Sequence, residues 1–116
     1  MTTHATHHVL IAGGGVAGLE AMLALRAQAP AGVRVTLVTP DTDFVYRPLS
    51  TGEPFGRTTA ASYSIDRLTC EHGVAWEKDA VVSVDPAEHT VATVEGKHHG
   101  YDSLIVALGA ERHSAL

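Results

Sequence analysis

The stretch that most constrains this chain runs Val9-Leu10-Ile11-Ala12-Gly13-Gly14-Gly15-Val16-Ala17-Gly18-Leu19-Glu20. A short apolar run reads as a buried parallel strand, then turns through glycines into an apolar segment with helical spacing. Gly13, Gly15 and Gly18 fit the pattern G-x-G-x-x-G, with Gly14 inside the same loop. The physical demand behind that pattern is steric. The first glycine permits the tight turn, the second lets a pyrophosphate approach the backbone, and the third lets the helix lie close to the strand. The helix start then offers N–H groups and the positive end of its dipole to an anion.

Val16 to Ala29 is predicted to form the first helix, with Leu19, Met22, Leu23 and Arg26–Ala27 along one stripe. Pro30 stops it. The β-branched run Val33–Val38 is the second strand. Strand, helix and strand within about 30 residues make one βαβ unit. At the end of this second strand the fingerprint expects an acidic residue that accepts hydrogen bonds from a ribose. Thr39 stands there, followed by Pro40, Asp41 and Asp43. Either the Thr39 hydroxyl serves, or Asp41 reaches back.

Residues 41–59 read as a long loop, rich in proline and glycine yet carrying Phe44, Val45, Tyr46, Leu49 and Phe55. An apolar loop of that length is expected to cover a ligand, another domain or a subunit. Arg47, in its middle, is either a solvated charge or a phosphate or flavin contact. A second helix is expected from Ser64 to Glu71, ended by Gly73, and a third strand over Val74–Glu77. Alternating runs at Ala80–Asp85, Thr90–Val94 and Lys97–Tyr101 predict an antiparallel meander inserted into the α/β sheet. Leu104–Leu108 is apolar without alternation and predicts a buried central strand, with Gly109 at its carboxyl end.

Length and charge narrow the function. At 116 residues the chain is one domain. Residues 1–8 are expected to be a flexible start, 9–111 the domain and 112–116 a tail. A net charge of −5 without a basic cluster argues against nucleic acid. No apolar run approaches a bilayer span. The single cysteine, Cys70, excludes an internal disulfide and a dithiol pair and fits a reducing, cytoplasmic compartment. Its acidic neighbours Asp66 and Glu71 do not favour a thiolate. His4, His7 and His8 read as a solvated terminus, and His98 and His99 as exposed strand residues, so no metal site is expected. No residue stands out as a general base or nucleophile.

Three marks together resemble a family. They are Gly13-Gly14-Gly15-Val16-Ala17-Gly18, the segment Phe44-Val45-Tyr46-Arg47-Pro48-Leu49 after the second strand, and Tyr101-Asp102-Ser103-Leu104-Ile105-Val106-Ala107-Leu108-Gly109-Ala110. In this order, with a meander between the last two, they resemble the FAD domain of the pyridine nucleotide-disulfide oxidoreductase superfamily. The Phe–Tyr–Arg–Pro–Leu loop and the lack of a Cys-x4-Cys pair look nearer to type II NADH dehydrogenases and sulfide:quinone oxidoreductases than to disulfide reductases. The resemblance implies a Rossmann-like parallel sheet of the FAD/NAD(P)-binding type with an inserted meander, incomplete at its C-terminus. Thr39 departs from the family's glutamate, and Leu108 from its threonine.

Carried over by position, the resemblance assigns Gly13, Gly15, Val16 and Ala17 to the FAD pyrophosphate, and Thr39 and Pro40 to the ribose. It places Arg47 and Pro48 near the flavin, and Ala80 and Val81 against the adenine through their backbone. Ala107, Leu108 and Gly109 would pass behind the pyrophosphate. The implied activity is hydride transfer from NAD(P)H to flavin and on to an acceptor, in a longer enzyme of which this chain is an amino-terminal part. That longer protein is either free in the cytoplasm or peripheral to a membrane. The part alone is expected not to turn over. Two other readings share some of these features: an NAD(P)-binding regulatory module without catalysis, and a domain that dimerises to cover apolar surface.

Overall fold

The computed structural model describes residues 7–28, 32–46 and 61–107. Strand β1 (His7–Ala12) leads through the glycine loop into helix α1 (Gly15–Gln28), and then strand β2 (Val33–Val38) follows. Short strands β3 (Asp43–Tyr46) and β4 (Ala61–Ser64) precede helix α2 (Ile65–Glu71) and strand β5 (Ala75–Glu77). Strands β6 (Val81–Asp85), β7 (Thr90–Thr93) and β8 (His98–Gly100) form the meander, and β9 (Ser103–Val106) returns to the main sheet. That sheet has the order β5-β2-β1-β9, and each of its pairings is parallel.

Apolar side chains cover both faces of β1, which is why its sequence shows no alternation. Val9 and Ile11 join Val35 and Leu37 against Met22 of α1, Phe44 of β3 and Ile65 of α2. Leu10 and Ala12 point the other way, with Val38, onto Val91 and the flanking Val81, Tyr101 and Leu104. The sheet is therefore sandwiched between a helical layer and the meander. Leu10, Ile11, Met22 and Leu37 are fully buried. Burying each such side chain stabilises the fold by about 1.5–3 kcal/mol.

α1 buries Gly18 and Met22, with Leu19, Ala21 and Leu25 packed beside the core. The stripe thus runs through Ala21 and Leu25 rather than Leu23, which is 36% exposed. Arg26 faces β2 and donates from Nη2 to the Val33 carbonyl at 2.8 Å. α2 starts where expected. Ser64 caps it by accepting from the Arg67 N–H at 3.2 Å, and Gly73 leaves it at φ +68°. Cys70 is exposed and unbridged.

Four expectations change. The stretch expected to be a loop contains β3, which pairs antiparallel with β4 from Asp43↔Ser64 to Tyr46↔Ala61. Phe44 is 1% exposed because this ladder presses it into the core. β9 pairs with β1 and, among the described residues, stands at the edge of the sheet rather than its centre. Ile105 lines an apolar groove of about 560 Å3 between α1 and β9, and Val106 is 59% exposed. β1 begins at His7, two residues earlier than expected. His7 N–H donates to the Gly32 carbonyl at 3.1 Å and His8 N–H to Asp102 Oδ2 at 2.7 Å, so both residues are tied to their neighbours. Finally, the alternation of β8 leaves His98 exposed but turns His99 partly inward, where its Nε2 has no hydrogen-bond partner.

Candidate dinucleotide site

The carboxyl ends of β5, β2, β1 and β9 form one edge of the sheet. From β1 the chain passes to β2 and β5 on one side, and it later returns as β9 on the other. The strand order reverses at β1, and ligands of open α/β sheets bind at the carboxyl ends of strands beside such a reversal. The glycine loop lies at that point.

Each glycine has its own geometry. Gly13 turns off β1 at φ 114° while its N–H donates to the Val38 carbonyl at 2.9 Å. Gly15 opens α1 at φ +76°, and a Cβ built on it meets nothing within 4 Å. A Cβ on Gly18 would stand 2.6 Å from the Gly13 carbonyl oxygen, so only glycine lets the helix sit this close to the loop. The first turn of α1 has no acidic residue, and Gly14 before it has no side chain with which to cap the helix. The first N–H groups of a helix have no partner within it. Val16 and Ala17 extend this uncapped turn, with Ala17 exposed. Open space over Gly15 beside such amides fits a phosphate group.

Thr39 and Asp41 complete the loop's other wall. Thr39 is 1% exposed, and its N–H donates to the Glu77 carbonyl at 3.1 Å. Its carbonyl accepts from Trp76 Nε1 at 3.1 Å. Its hydroxyl donates to Asp41 Oδ2 at 3.3 Å and receives the Asp41 N–H at 3.2 Å. A Cβ on Gly14 would lie 3.1 Å from Thr39 Oγ1 and 3.2 Å from Asp41 Oδ2. The Asp41 carboxylate thus stands beside Thr39 and Gly14, at the wall of the glycine loop. Pro40, between them, is exposed.

The other expected residues divide into two groups. Ala80 and Val81 are half-buried at the start of β6. Ala107 lies at the tip of β9, 6% exposed, with its N–H on the Ala12 carbonyl at 2.8 Å, directly behind the loop. Arg47, Pro48, Leu108 and Gly109 lie outside the described residues. Trp76, which bonds the Thr39 carbonyl, and Asp79, which bonds the Ala80 N–H, also stand at this edge. Neither belongs to a motif, and the only available signal was a turn-forming residue just ahead of the meander.

With this geometry in place, similarity to known proteins becomes informative. Residues 7–115 match the family model described as pyridine nucleotide-disulphide oxidoreductase. The mitochondrial sulfide:quinone oxidoreductase of Dictyostelium discoideum is 32% identical over 106 residues, which is 89% of this chain and 23% of that protein. The mouse (Mus musculus) mitochondrial protein of the same name is 31% identical over 107 residues, 90% of this chain and 23% of its own length. The solved sulfide:quinone oxidoreductase from Aquifex aeolicus superposes with a TM-score of 0.75 at 26% identity, covering 90% of this chain and 25% of that one. The chain thus spans about a quarter of the length of these relatives. Motif, topology and matched length agree: the chain belongs to the pyridine nucleotide-disulphide oxidoreductase family.

Proposed function

We propose that the chain is the FAD-binding part of a flavin-dependent oxidoreductase. The observation that carries this reading is the open space over Gly15 at the uncapped start of α1, with the Asp41 carboxylate beside the neighbouring Gly14. The α1 amides take the pyrophosphate, and Gly15 keeps the approach clear. Asp41, held by the Thr39 hydroxyl, accepts from the ribose hydroxyls. Ala107 backs the loop, and Ala80 and Val81 lie along the path to the adenine. Bound FAD would supply the two-electron chemistry. None of the residues around the loop is placed as a nucleophile or a general base. Protein groups here bind, orient and exclude water.

The reductant implied by the resemblance is a nicotinamide dinucleotide, which would give a hydride to the flavin for passage of the electrons to an acceptor. A second reading is favoured by the relatives, whose names specify sulfide as the donor and quinone as the acceptor. The two separate in an anaerobic experiment on the flavin-loaded longer protein of which this chain is a part. Bleaching of the visible flavin band by NADH or NADPH supports the first, and bleaching by sulfide supports the second. The flavin assignment is tested before either, by titrating FAD and NADH separately. Saturable FAD binding tighter than NADH binding is expected. The reverse order would replace the flavin module with a nicotinamide-binding one.

A further inference from the structure

Residues two apart on a strand share a face of the sheet, and so do paired residues of neighbouring strands. On β1 that rule puts His8 on the face of Leu10 and Ala12, toward the meander. β2 sets Arg34 beside His8 and Thr36 beside Leu10. In the meander, His99 pairs with Val91, which is 1% exposed and packs on Leu10, Ala12 and Val38. His99 therefore faces the main sheet, close enough to His8 for their charges to interact. Asp102 stands at the same end of this layer. Its Oδ2 accepts the His8 N–H at 2.7 Å, and its own N–H donates to the His8 carbonyl at 2.8 Å. β6 and β9 bring no charge here: Val84 pairs with Val91, and Leu104 with Leu10. His89, just before β7, is exposed and stacks on Tyr101 with ring centres 5.6 Å apart.

The two imidazoles are held differently. His8 Nε2 lies 2.8 Å from the hydroxyl of Thr36, which is 6% exposed. His99 Nε2 is buried and has no hydrogen-bond partner among the described residues. A protonated ring at that place would bury a charged N–H group without an acceptor, which is costly. The ring avoids the cost only by moving to water. Charge repulsion acts the same way. With both rings neutral, Arg34 and Asp102 offset each other; with both protonated, three positive charges face one carboxylate. We infer that His8 and His99 form an acid-sensitive latch between the meander and the main sheet: neutral rings stay in the layer, and protonation drives His99 outward and frees β8 and the Tyr101–Asp102 link from β1. This rests on neither the nucleotide nor the flavin. The bias already shows at His8, whose pKa is lowered by burial and the Arg34 charge, with His99 adding, against the Gly100 backbone and Asp102. The closed state thus prefers a neutral ring, and a fall in pH below 6.5 favours opening.

Amide hydrogen exchange at pH 8 and pH 5.5, corrected for the intrinsic rate at each pH, tests the latch. The Tyr101 and Asp102 amides, which donate to the His89 and His8 carbonyls, report opening. They should lose protection about tenfold in acid, the effect of one proton taken up across one pH unit. The β2 amides paired with β1 should change less than about twofold, because the latch opens locally. His99→Gln stays neutral at both pH values and should cut the loss to about twofold, the part left to His8. A second measurement needs no variant: the NMR titration of the His99 ring should have the same midpoint as the loss of protection. Equal protection at both pH values overturns the inference. So does an equal loss in β2, which would be general unfolding. A folded His99→Gln protein that keeps the full loss overturns it too, as do separate midpoints for the ring and the amides.

Discussion

The two ends of the central sheet are built in opposite ways. At the amino end, side chains are paired with one another. His7 Nε2 lies 2.8 Å from Ser103 Oγ, His8 Nε2 lies 2.8 Å from Thr36 Oγ1, and the His8 backbone is held on both sides by Asp102. At the carboxyl end, the strand tips continue to pair through backbone, as in Gly13 to Val38 and Thr39 to Glu77, but the start of α1 is left without a cap. One end is closed by the chain itself. The other keeps polar backbone available, which is stable at a surface only with water or a ligand as partner. The contrast separates residues that matter for folding from those that matter for binding, even within one loop.

Gly18 and Gly15 divide along that line. Gly18→Ala puts a Cβ 2.6 Å from a backbone oxygen that cannot rotate away. Helix and strand must separate, at a cost of roughly 3 kcal/mol, the upper end of ordinary overpacking. Urea unfolding of the protein should show a clear fall in midpoint. An unchanged midpoint would mean that α1 does not lie against the loop as described.

Gly15→Ala should do less to folding and more to binding. Its Cβ meets nothing, so the cost is the positive φ, about 1 kcal/mol. The added methyl occupies the space through which a phosphate approaches, so dinucleotide affinity is expected to drop by tenfold or more, about 1.4 kcal/mol. Isothermal titration with FAD reads this directly. Retained affinity with lowered stability would make the two glycines alike and remove the distinction between them.

How far these features could be read from sequence depends on how local their causes are. The glycine loop, β2 and the extent of α2 are set by neighbours within a few residues, and they lie within a residue of where the sequence puts them. The pairing of β3 with β4 joins Asp43 to Ser64 across 21 positions, and four-residue strands carry too little alternation to announce it. The sequence predicts a stripe on α1 through Leu23 because alanines on several sides blur the period. Packing against β1 and β2 chose Ala21 and Leu25 instead. The apolar run of β9 predicts burial, but Leu104 is only half-buried against the cluster of Leu10, Ala12, Val38 and Val91, because the run does not say which neighbours the strand has. Asp41 was legible only as an alternative, because whether a residue two places on bends back depends on the turn at Pro40. Asp79 carries no pattern at all, since its partner Glu95 is brought in by the meander.

The smallest expected effect belongs to the closed end. Burial and the Arg34 charge lower the His8 pKa from the ordinary 6.5, against the opposing effects of the Gly100 backbone and Asp102, while His99 adds to the lowering. The folded state therefore prefers the neutral imidazole. Above 6.5 neither folded nor unfolded chain holds the proton, and the contribution of His8 to stability is complete. As pH falls below 6.5 the unfolded chain takes up the proton first, and stability declines until the folded imidazole also titrates. Because His8 is only partly shielded, the effect should be on the order of 0.5 kcal/mol after solvent screening. His8→Gln keeps an amide near the Nε2 position facing Thr36 and removes the titration. The difference in unfolding free energy between pH 8 and pH 5.5 should shrink by about that amount in the variant. An unchanged difference would show that the paired amino end is insensitive to charge, and that its contrast with the open carboxyl end lies in geometry alone.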